Sequence, residues 1–101
     1  MQLTVKQEEF LRELETTFVI QCRNVMFEGG SNVQTAPSCC ALGIAYKLAK
    51  SNNIVEVSAI YGLTDSGTEH IINMNDVENL SFVGIAARIR QSPERYFRHV
   101  V

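Results

Sequence analysis

Residues 54–74 read IVEVSAIYGLTDSGTEHIINM, and the fold turns on how they are read. Ile54, Val55, Val57, Ile60 and Tyr61 are β-branched, branched-aliphatic or aromatic, the composition of a strand, and His70 to Met74 reads as a second strand. Thr64-Asp65-Ser66-Gly67 between them is turn chemistry. The stretch therefore predicts a β-hairpin with its tip at Asp65 to Gly67.

On the N-terminal side, Thr4 and Gln7 have capping-box spacing, and Phe10, Leu11, Leu14 and Phe18 follow at three- and four-residue intervals. This predicts a helix from Val5 to about Thr16, with Glu8, Glu9, Glu13, Glu15, Lys6 and Arg12 on a solvated face. From Thr16 to Phe27 two readings compete. Cys22, Val25 and Met26 would continue the helical stripe, whereas the β-branched and aromatic run Thr16 to Ile20, a turn at Arg23-Asn24 and a return at Val25 to Phe27 describe a hairpin, which is favoured. Glu28 to Ala36, with Gly29 and Gly30, is a loop.

A second helix is expected with Thr35 or Ser38 as cap and Pro37 in its first turn. Its apolar face is Cys40, Ala41, Ile44, Ala45, Leu48 and Ala49, and Asn52-Asn53 stop it. Beyond the central hairpin, Asn75 and Glu78 repeat the capping spacing and open a helix to about Arg90; Ser92-Pro93-Glu94 starts a short final turn. The expected fold class is α+β: a small antiparallel sheet of two hairpins covered by three helices, in one domain spanning residues 1–101 with a basic-aromatic turn at 92–101.

Composition sets the outer bounds. At 101 residues the chain suits one core, and folding hides about two-thirds of the unfolded surface, so neither disulfide nor metal is needed. Apolar residues at 46% exclude a disordered chain, and a net charge of −2 argues against nucleic acid binding over the whole surface. Cys22, Cys39 and Cys40 are odd in number and two are adjacent, which reads as free thiols in a reducing compartment. Neither a signal peptide nor a membrane span is expected.

No group of residues makes a complete catalytic site. Cys39 or Cys40 near a helix start, with His70 or His99 as base, could be a thiol nucleophile, but cysteine is more often a small buried hydrophobe. Asp65-Ser66-Gly67 has the Asp-Ser/Thr-Gly pattern of retroviral-type aspartic proteases, in a composition that turns favour anyway. The cysteine and histidine spacings do not fit zinc, so no metal or cofactor is expected. The tail holds Arg88, Arg90, Arg95 and Arg98 around Tyr96 and Phe97, the pairing found in contact hot spots, although two aromatics closing the core explain the same residues.

Four features between about Phe18 and Arg90 occur in a familiar order: the strand pair Phe18 to Phe27 with its glycine loop, the small-residue helix from Ser38, the turn Tyr61-Gly62-Leu63-Thr64-Asp65-Ser66-Gly67, and Ile72-Asn73-Met74-Asn75 leading into an apolar helix. In this order the chain resembles a small domain family of unknown biochemical function in tailed-phage and prophage proteins, commonly at the end of tail, tail-fibre or fibre-assembly polypeptides. Tyr61 stands where that family usually has tryptophan. The resemblance implies a non-enzymatic structural or adaptor module acting by protein contact, located in the host cytoplasm or the virion tail. A small phage-encoded inhibitor of a host enzyme or defence complex is the alternative. The contact residues to examine are Tyr96, Phe97, Arg95, Arg98, Asp65, Ser66 and Gly67; the partner is a phage tail or host protein, and self-association is an analogy from symmetric fibres.

Overall fold

The computed structural model describes residues 1–98, so His99 lies outside the described residues. Helix α1 is Val5–Thr16, and both halves of its capping box form: Gln7 N donates to Thr4 Oγ1 (3.1 Å) and Thr4 N donates to Gln7 Oε1 (2.9 Å). Phe10, Leu11 and Leu14 are buried, whereas Phe18 lies beyond the helix and is fully exposed. The Gln7 side chain is buried as well and donates to Tyr61 O (2.9 Å). One residue therefore caps α1 and ties it to the middle of the chain.

Three two-residue strands follow, β1 (Ile20–Gln21), β2 (Phe27–Glu28) and β3 (Ser38–Cys39), in the order β1-β3-β2. β3 is parallel to β1 and antiparallel to β2. This corrects both readings of Thr16 to Phe27: the segment is neither helix nor hairpin. The chain does turn at Asn24 (φ 67°), but β3 enters between the two arms. Cys22 N donates to Cys39 O (3.0 Å) and Cys40 N to Met26 O (2.9 Å), so each arm finds its backbone partners on the intruding strand.

Helix α2 is Ala41–Ala49, with Cys40 at the N-cap. Pro37 and Ser38 lie before it rather than in its first turn, because Ser38 belongs to the sheet. Ala41 through Tyr46 are all buried, which makes α2 the central helix of the core. It stops at Lys50 in the left-handed conformation, and Asn53 caps the next helix instead of ending this one.

The larger correction concerns residues 54–74, which form helices α3 (Ile54–Tyr61) and α4 (Asp65–Asp76) in place of a hairpin. Asn53 Oδ1 accepts from Val55 N (2.8 Å) and Glu56 N (3.2 Å), starting α3. Gly62 at φ 68° ends it in a conformation where a side chain would be strained, and Thr64 Oγ1 accepts from Gly67 N (2.8 Å) to start α4. Asp65-Ser66-Gly67 is thus the first turn of a helix. Val57 and Tyr61, and Gly67, Ile71 and Met74, are buried at helical spacing. Caps and packing outweigh the β-branched composition.

Helix α4 continues through Asn75, which is fully buried and not a cap. The chain then turns with Asn79 at φ 57°, and Ser81 caps α5 (Phe82–Gln91), its Oγ accepting from Gly84 N (3.1 Å). A 3-10 turn at Pro93–Arg95 follows, as the sequence predicts. The class is α+β, with five α-helices and a three-stranded mixed sheet among the described residues. α1 packs on α5, α2 and α3, and α2 on α4 and α3, around one contiguous core.

Candidate functional site: the outer face of α3

A helix that is apolar on every side is normally surrounded by protein. α3 has the sequence IVEVSAIY with one charged residue, yet only Val57 and Tyr61 are buried. Val55 is 75% exposed, and Ile54 and Ile60 are exposed too. Ile54, Val55, Ser58 and Ala59 line a cleft of about 270 Å³ whose other wall is Asp65 and Arg98.

The two charges are fixed by the junction of α3 and α4. Asp65 is the first residue of α4, where the positive helix end suits a carboxylate. Arg98 N donates to Gly62 O (2.6 Å), and an isolated bridge pairs Leu63 with Phe97, so the C-terminal segment lies along the junction. Among the described residues neither Asp65 nor Arg98 is in an ion pair. An acid and a base thus line the same cleft as the exposed apolar side chains of α3.

The residues expected at a contact divide sharply. Arg95, Arg98, Asp65 and Ser66 are exposed. Tyr96 and Phe97 are 3% and 2% exposed, which moves their side chains into the core. The Tyr96 hydroxyl lies 3.8 Å from Met74 Sδ, its ring packs edge-on against His70, and its carbonyl accepts from Thr64 N (3.1 Å). Gly67 is not a hairpin tip either: a Cβ there would collide with the Tyr96 backbone, so glycine permits the close approach of α4 to the C-terminal segment.

The thiols are not poised as nucleophiles. Burial pushes Cys39 up to about 12, and also raises Cys40 and Cys22, the latter further through Glu28 and Asp76. The α3 surface went unseen in the sequence because a strand would have hidden half of those residues. Its signal was present in Asn53, Gly62 and Thr64, a start, a stop and a new start at helical spacing.

A larger hollow of about 660 Å³ runs along α1 between Leu3, Val5, Glu8, Arg12 and Leu48. Its charges are largely satisfied internally: Lys6 pairs with Glu9, and Glu8 with Arg12 and Arg90. This is the solvated helix face seen in the sequence. No protein-family model, no curated protein and no solved structure matches the chain.

Proposed function

We propose that the chain is a non-enzymatic adaptor module that acts by protein contact, with the outer face of α3 as the contact surface. The observation that carries this reading is the unburied apolar side of α3, bordered by Asp65 and Arg98. Desolvating Ile54, Val55 and Ala59 supplies the attraction, and the two charges select the orientation of the partner. The phage or prophage setting, in tail or tail-fibre assembly, rests on the sequence resemblance. Two of the features that carry it take another form in the structure: the opening strand pair is split by β3, and the turn is a helix junction.

Val55→Asp tests the surface. Asp in the first turn of α3 suits the helix dipole and disturbs no buried contact, so the thermal midpoint stays close to wild type. In pull-downs from phage-infected or prophage-induced cells, the wild-type chain is expected to retain tail or fibre proteins and Val55→Asp to lose them. Retention of a single host enzyme would transfer the reading to an inhibitor. Retention unaffected by Val55→Asp would remove α3 from the proposal.

A further inference from the structure

The small sheet leaves one edge open. β1 is an outer strand, and Ile20 N and Cys22 N donate to Pro37 O (3.3 Å) and Cys39 O (3.0 Å) along β3. A trans peptide holds its N–H and C=O on opposite sides, so the carbonyls of Val19 and Gln21 point off the sheet. The alternation of the parallel ladder turns the Gln21 N–H outward with them. Among the described residues nothing is bonded to the backbone N–H or carbonyl of Gln21. Its side chain turns inward instead, donating to Asn75 Oδ1 and Leu80 O (2.8 Å each) and accepting from Phe82 N (3.1 Å), which fixes the strand in place.

The side chains along this edge are apolar and uncharged. Ile20 is 66% exposed, and Phe18, two residues earlier, is exposed completely. No charged residue occurs from Thr16 to Cys22. Outer strands that stay single are commonly guarded by lysine, proline or an inward-pointing charge, because their free N–H and C=O groups are a template for another strand. The edge is also distinct from the surface of α3, whose cleft includes no residue of β1.

We propose that the open edge of β1 pairs with the same edge of a second copy, antiparallel about a twofold axis at Gln21. A contact about a twofold must satisfy itself, and Gln21 does. Its N–H meets the carbonyl of Gln21 in the second copy, and its own carbonyl receives that residue's N–H, so two backbone bonds close. The two sheets become one, with the Ile20 side chains as diagonal neighbours across the join and Phe18 flanking it. An edge without charge does not repel its own copy. A covered aromatic side chain withdraws about 150–250 Å² from water, so two Phe18 and two Ile20 fall short of the roughly 1,200 Å² of a standard interface. Interfaces of about 1,600 Å² begin at micromolar affinity, which puts this smaller one at about 10 μM or weaker.

Sedimentation equilibrium of the full chain from about 10 μM to about 1 mM spans that affinity and should show monomer and dimer exchanging. Hydrogen exchange at the Gln21 amide should slow as the dimer fills. Ile20→Lys sets like charges across the join and removes apolar cover, and should weaken dimerisation by roughly tenfold or more. Because Ile20 is exposed, the thermal midpoint of that variant stays close to wild type. A mixture of Ile20→Lys and Ile20→Glu sets opposite charges there and should recover a heterodimer. Val55→Asp, on α3, should leave the dimer intact. The proposal is overturned by a wild-type chain still monomeric at the top of the range, or by a dimer that Ile20→Lys does not weaken or that Val55→Asp dissolves. A mixture no more associated than either variant alone, or a Gln21 amide whose exchange ignores concentration, overturns it as well.

Discussion

Asn75 and Gln7 are the buried polar residues among those described, and Asn75 is fully buried. Its Oδ1 accepts from Ala41 N (3.1 Å) and Gln21 Nε2 (2.8 Å), and its Nδ2 donates to Cys22 O (2.9 Å) and Asp76 Oδ1 (2.8 Å). One amide thus joins α4 to the start of α2 and to the end of β1, with every hydrogen-bonding position used. Asn75→Leu keeps the branched outline of the side chain but adds bulk at a fully buried position and strands the Ala41 amide and the Cys22 carbonyl in the core. Each such group costs about 1–3 kcal/mol, so a loss of roughly 2–6 kcal/mol is expected in urea unfolding. A change below about 0.5 kcal/mol, the ordinary range of surface substitutions, would show that water replaces the amide. Phe97→Ala should also lower stability, by about 3–5 kcal/mol, because the ring is core and not contact surface. In the sequence, Asn75 and Glu78 have the spacing of a cap, and nothing local distinguishes a capping Asn from a buried one. The difference is made by partners more than 30 residues away.

Among the elements, α1 was legible because a capping box and an apolar stripe agree over one uninterrupted helix. α3 and α4 were not, because β-branched residues point one way and the caps the other, and packing on α2 decides. The sheet was illegible for a different reason: β3 inserts between β1 and β2 from later in the chain, a pairing that no local pattern encodes. The join between α1 and α5 offers a test at this scale. Arg90 donates to both oxygens of Glu8 (2.9 and 3.0 Å) and both of Glu15 (2.9 Å each). These bonds hold both carboxyls below the usual carboxylate range. A lowered folded pKa adds stability above the unfolded value, and that stability is lost as pH falls through the folded one. Arg90→Met should therefore be less stable at neutral pH, by roughly 1 kcal/mol after solvent screening of side chains about one-third exposed. The gap should close as pH falls from about 4.3 downward. A gap independent of pH would mean that the arginine acts by packing its stem rather than by charge.

At the scale of the whole molecule, Cys39 reports on cooperativity. It occupies the middle strand, is fully buried, and its side chain packs so closely against α2 that a Cβ at Gly43 would collide with it. Its thiol, pushed up to about 12, stays protonated at neutral pH. Alkylation therefore requires the sheet to separate from α2, and the same separation breaks the Asn75 bonds to Ala41 N and Cys22 O. If the molecule opens as one unit, Cys39 labelling under native conditions measures the global unfolding free energy, and every destabilising change accelerates it by tenfold per about 1.4 kcal/mol. Asn75→Leu should then speed Cys39 modification by a factor matching its urea-derived loss of stability. Phe97→Ala, in the bridge between Leu63 and the C-terminal segment, should do the same by its own loss. Mass spectrometry of peptides resolves Cys39 from Cys22 and Cys40, whose slight exposure lets smaller openings reach them first. Should Asn75→Leu speed Cys39 labelling while Phe97→Ala leaves it unchanged, the sheet and α2 form a unit that opens apart from the C-terminal segment.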